Sequence, residues 1–169
     1  MKKSLIFISF LMLQMLVFGM TTNNAKTGIS LTTEKVAEGY QFTVTAPTEG
    51  WVSIGFDATI IMKDCESIIL SNSKGKGQIY HYYGTGKEVV TPISTLDSTY
   101  KNDNLTLKSY SYDGKNSTYV FVRSEKVKNR YIKELTAGKT VKVLFAYSSN
   151  PDISSMHVKA ASEKITLPN

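Results

Sequence analysis

Residues 40–46 read YQFTVTA. In an extended chain successive side chains point to opposite faces, so Tyr40, Phe42, Val44 and Ala46 share one side and Gln41, Thr43 and Thr45 the other. The same alternation returns in VKVLFAY, where Val141, Val143, Phe145 and Tyr147 line up. Such segments are strands with one buried and one wet face. Working outward, residues 28–33, 51–56, 66–71, 77–83, 104–111, 117–123 and 162–167 have strand composition and are separated by the turn signals TEG, SKGKG, YDGKNS and TAGK. Together they make about nine strands or more. No segment carries a helical stripe; VKNRYIKELTAGK, residues 127–139, has room for one or two helical turns before Gly138. Many short strands joined by polar turns predict an all-β sandwich or barrel. The longest loops, 84–103 and 148–161, are candidates for function because long loops in a compact sandwich often carry it.

The N-terminus predicts a route. Lys2 and Lys3 precede an uncharged run from Leu5 to Phe18, followed by small and polar residues, which is the pattern of a secretory signal peptide. Cleavage is expected after Gly19, with Ala25 the second choice, giving a signal peptide over 1–19 and one domain over 26–169. The run is short for a bilayer span, and no later stretch is apolar for long enough, so no membrane span is expected in the mature chain. About 145 residues then remain, enough for one domain with a full core. The expected location is the periplasm or the medium.

Loss of Lys2 and Lys3 lowers the formal charge from +6 to +4, a mild excess. The basic cluster Lys126, Lys128, Arg130 and Lys133 is bounded by Glu125 and Glu134 and lies between strands, so it reads as a solvated face. No nucleic-acid partner is expected. Cys65 is the one cysteine, which excludes an intramolecular disulfide and a Cys-based metal cluster. There is no Gly-x-Ser-x-Gly elbow and no His-x-x-x-His pair, which removes the usual hydrolase and zinc readings. A carboxylate pair drawn from Asp57, Asp64, Glu66 and Asp97 stays open.

Two side chains remain beside apolar material in separate loops, Met62 and His157. A thioether and an imidazole form one of the axial pairs that hold haem iron. Composition alone would not choose them, because a lone Met more often fills a gap in a core.

Here the order of motifs adds to the residues. GWVSIGFDATIIMKDCESIIL, at 50–70, resembles the opening of a DOMON domain: an aromatic-led strand, a loop containing Met, an acidic residue and an apolar strand. GQIYHYYGTGKEVVTPISTLD is similar to the family's next strand, Gly-containing turn and Pro-to-Asp loop. STYVFVRSE, KTVKVLFAYSS and SSMHVKA resemble its later strands and closing His segment, so the likeness runs over roughly 50–167. It implies an immunoglobulin-like β-sandwich and, as in the cytochrome domain of cellobiose dehydrogenase, a haem b held by a Met and a His. Those positions fall on Met62 and His157, with Trp51, Phe56, Ile60, Ile61 and Tyr83 as apolar walls. His81 is a rival ligand whose strand alternation favours a structural role, and Met156 adjoins His157 too closely to oppose it across one iron. The implied function is a one-electron carrier serving an unidentified redox partner, itself no enzyme. The alternative is a haem-free module for a ligand such as carbohydrate, with Tyr80, Tyr82, Tyr83, Tyr110, Tyr112 and Tyr119 as stacking faces.

Overall fold

The alternation at 40–46 forms a strand, Gly39–Ala46, in which Tyr40, Phe42, Val44 and Ala46 have no exposed surface while Gln41, Thr43 and Thr45 are half-buried. The structure is a computed structural model and describes residues 19–125 and 128–169; the expected signal peptide, apart from Gly19, lies outside them. Eleven strands follow in order: β1 (Met20–Asn24), β2 (Ile29–Val36), β3 (Gly39–Ala46), β4 (Val52–Phe56), β5 (Glu66–Ser73), β6 (Lys76–Gly84), β7 (Val90–Pro92), β8 (Leu105–Tyr112), β9 (Ser117–Ser124), β10 (Thr140–Tyr147) and β11 (Lys159–Thr166). They form a five-stranded sheet, β1-β2-β3-β9-β8, and a six-stranded sheet, β11-β10-β4-β5-β6-β7, antiparallel throughout.

The inner faces of the two sheets make one core. Phe42 packs on Phe121 and Phe56 at ring separations of 5.3 and 5.6 Å, with Ile54, Ile68, Val143 and Phe145 around them. Burial of this apolar surface is the main stabilising term for a chain without a disulfide. The tight turns obey local chemistry: Lys74 and Gly75, both at positive φ (53° and 77°), form the two-residue link between β5 and β6 that suits the twist of a hairpin.

Three expectations shift. β1 pairs with β2 along its length, so the sandwich begins at Met20 rather than at 26. β7, three residues long, was too short to be seen by alternation. The helical turns expected within 127–139 do not form in its described part, 128–139. There the Lys133 amide donates to Glu66 Oε2 (2.7 Å) and its carbonyl accepts from Arg123. Ile132 and Leu135 are buried. Backbone groups that a helix would need are thus consumed by a buried ion pair. The helical turn present is α1 (Ile93–Leu96), just behind Pro92.

Candidate functional site

Because Val52, Ile54 and Phe56 face the core, Ser53 and Gly55 face outward from the six-stranded sheet, and strand register carries this division across it. One outward row runs Ser162, Leu144, Gly55, Ser67 and Tyr82. The next runs Ala160, Ala146, Ser53, Ile69 and Tyr80. The middle of this face is a trough of small side chains. Ser53 and Ser67 hydrogen-bond within it (3.0 Å).

The loop between β4 and β5 folds over one end of the trough. A Cβ on Gly84 would stand 1.7 Å from the Met62 carbonyl oxygen, so the loop backbone lies directly on β6 at that glycine. Met62 is fixed by its own amide, which donates to the Lys87 carbonyl (3.1 Å), and by its carbonyl, which accepts from Cys65 (3.1 Å). Ile60 and Lys63 bridge across a tight turn that holds Ile61 and Met62 at its tip. Asp57, Ile61 and Asp64 all have positive φ (50°, 54° and 61°). For a β-branched residue such as Ile61 this is strained backbone, of the kind that clusters at binding sites. Cys65 sits behind the loop with its Sγ over Gly55, where a Cβ would approach to 2.5 Å. Burial pushes its thiol up to about 12, so it stays protonated.

The opposite end of the trough is covered by residues 148–158. Trp51 is 7% exposed, and its Nε1 donates to the Ser155 carbonyl (3.2 Å) and Oγ (2.9 Å). The Val158 amide donates to the Tyr147 carbonyl (2.8 Å). His157 lies between these two anchors with its imidazole exposed, while Met62 is half-buried. Among the described residues the large exposed apolar side chains are Met20, Ile60, Ile61, Val89, Tyr112, Met156 and Val158, and four of them stand within two residues of Met62 or His157.

The expected site residues therefore divide. Met62, Ile60 and Ile61 stand at one end of the trough and His157 at the other, with Trp51 pinning the His157 segment. Phe56 does not join them: it is wholly buried between the sheets and cannot wall an accessible site. Tyr83 points to the same inner side as His81, packs on Tyr131 (5.1 Å) and reaches Asp64 (3.3 Å), so Tyr80 and Tyr82 are the tyrosines on the trough face. His81 is unavailable as a ligand, since Nε2 meets Glu66 (2.8 Å) and Nδ1 meets the Tyr100 hydroxyl (2.5 Å). The four carboxylates do not converge: Glu66 is inside the sandwich, Asp57 lies against β10, Asp64 binds Thr59, and Asp97 binds Thr99 and Asn129.

Sequence reasoning missed the interior cluster around Glu66. Arg123 grips both carboxylate oxygens, from Nε and Nη2 at 2.7 Å each. Burial opposes ionisation of Glu66, but the Arg123 charge, reinforced by hydrogen bonds from His81 and Arg123, outweighs it and holds the carboxyl down at about 2. The signal was present: Arg123 shares its strand face with Tyr119 and Phe121, an inward position for a cation. Of two polar clefts of about 310 Å³, one lies away from the trough beside Tyr100 and Asn104, and the other at its Tyr80 corner, against Pro151.

The described residues thus form an eleven-stranded antiparallel β-sandwich with loops from both ends laid over one sheet face. The DOMON domain model matches residues 23–148, and the chain belongs to that family. Among solved structures it is similar to the cytochrome b domain of pyranose dehydrogenase from Coprinopsis cinerea, with a TM-score of 0.61 at 14% identity over 86% of this chain and 80% of that one. It is also similar to the cytochrome domain of Myriococcum thermophilum cellobiose dehydrogenase, with a TM-score of 0.60 at 11% identity over 89% and 81% of the two chains. No curated protein sequence matches.

Proposed function

We propose that the chain is an exported b-type haem-binding domain that carries single electrons to or from a partner protein, with Met62 and His157 as axial ligands. The observation that carries this is the convergence of their two loops on one sheet face from opposite ends. The residues fit the group. A thioether and an imidazole are a donor pair suited to haem iron, and the exposed Ile60, Ile61, Val89, Met156 and Val158 provide apolar surface that a bound ligand would cover. A bound haem supplies a one-electron couple, whose potential a thioether raises relative to a second imidazole. Met62, tied through both backbone groups, presents its sulfur from a fixed position; His157 presents its nitrogen from a segment pinned by Trp51. Substrate chemistry resides on the partner.

The test is the absorption spectrum of purified protein with Met62→Leu, His157→Ala, Met156→Leu and His81→Gln. The first two alter or abolish a low-spin haem spectrum; the last two preserve it, His81→Gln lowering stability alone. Loss of haem in His81→Gln with retention in His157→Ala overturns the assignment. The two polar clefts favour a second reading, a haem-free carbohydrate module. Colourless protein that takes no added haemin but binds an oligosaccharide establishes that reading instead.

A further inference from the structure

We infer that Lys142 and Lys164 receive the carboxylates of the bound macrocycle and so fix which of its edges faces the β10–β11 corner of the trough. The inference rests on the haem reading. Lys142 and Lys164 are directly opposite each other in the β10–β11 register, on the same outward face as Leu144 and Ser162 and one same-face step beyond them. Like charges at such a cross-strand position repel. Among the described residues neither lysine makes an ion pair within 4 Å. The carboxylates nearby are otherwise engaged: Asp57 accepts from the Lys142 backbone amide (3.0 Å) and faces Lys139 Nζ (3.5 Å), while Glu163 points to the other face and binds Asn24 (3.1 Å). A pair of unneutralised cations beside an apolar-rimmed trough is a site for a ligand with an apolar body and an anionic edge.

The direction follows from topology. Met62 approaches from the β5–β6 side of one end of the sheet, and His157 from the β11 side of the other, so the line joining them crosses the trough diagonally. The two remaining corners of the trough differ in charge. One corner holds Lys142 and Lys164. The other holds Ile69, Ser71, Gln78, Tyr80, Asp152 and Ile153, a mixed polar and apolar group with an acid and no cation. The anionic edge of an amphiphilic macrocycle belongs at the lysine corner, because the other offers Asp152 and no cation.

The test compares ferric protohaem with its dimethyl ester, which has the same ring and iron and no carboxylate charge. Apoprotein is titrated with each, for wild type, for Lys142→Met with Lys164→Met, and for Lys142→Arg with Lys164→Arg. Wild type should bind the diacid about 10-fold more tightly, equivalent to roughly 1.4 kcal/mol. The methionine pair should lose the preference and the arginine pair keep it. Ligand-free stability of the methionine pair should be unchanged or higher, because a repulsive pair is removed. Equal affinity of wild type for diacid and ester, or a preference that survives in the methionine pair, overturns the inference while leaving the haem reading intact. No binding of either porphyrin overturns the haem reading itself and this inference with it.

Discussion

Glu66 holds a charge at a position with no exposed surface, and the molecule depends on its keeping that charge. Its folded-state carboxyl, held at about 2 against an ordinary 4.5, is depressed, so its contribution is present in full above the ordinary value and is lost as pH falls from about 4.5 toward 2. Stability should therefore decline through that window, as thermal unfolding between pH 6 and 2 would show. Glu66→Gln should flatten this acid dependence and lower stability at pH 7, because Arg123 is left as an uncompensated buried cation, a loss of about 3–5 kcal/mol. A Glu66→Gln variant with the acid profile of wild type would contradict the argument. Cys65 allows a second prediction. Its buried thiol, pushed up to about 12, should react with a thiol reagent at pH 8 only as fast as the protein opens, with denaturant restoring full reactivity.

Elements place the loops that side chains alone do not. The β4–β5 loop can lie on β6 only because residue 84 has no Cβ, and Gly84→Ala would press a methyl group into the Met62 carbonyl. Such overpacking costs about 1–3 kcal/mol, and here the strain falls on the loop that carries Met62. The variant should stay folded by circular dichroism yet bind haemin at least about 10-fold more weakly, a loss of roughly 1.4 kcal/mol; unchanged affinity would separate the loop from the site. Strands such as β3 and β10 were legible because alternation is a local property. β1 was not, because MTTNN has no apolar face to alternate, and β7 is only three residues long. The position of Phe56 was legible and misjudged: it shares parity with Ile54, which marks it for the interior. Nothing local foretold that Trp51 would hold Ser155, 104 residues later, or that Met62 would rest on Gly84. Those contacts depend on the finished sheet. Order of motifs therefore put Met62 and His157 forward, while the sheet face between their loops needed strand register.

At the scale of the whole molecule, the first strand separates the two proposed cleavage sites. β1 closes the edge of the five-stranded sheet through five register pairs with β2. Its last residue, Asn24, is 6% exposed; its Oδ1 accepts from the Thr27 amide and hydroxyl (3.0 Å each), and its Nδ2 donates across to Glu163 of the other sheet (3.1 Å). Cleavage after Ala25 would remove that link and expose the edge of β2, whereas cleavage after Gly19 leaves the sandwich whole. Exported protein should therefore begin at Met20, as N-terminal sequencing of material from the cell envelope or medium would show; a start at Lys26, or an intact Met1 chain in the cytoplasm, would refute it. A chain made to begin at Lys26 should still fold, because the core lies in later strands, but lose about 1–3 kcal/mol through the missing hydrogen bonds. At about 2–4 °C per kcal/mol its melting temperature should fall measurably. The trough lies on the far face of the other sheet, so haemin affinity at temperatures well below that melting point should match the longer chain. A truncated chain with full thermal stability would mean that β1 is an ornament of the edge, and the early cleavage site would lose its physical reason.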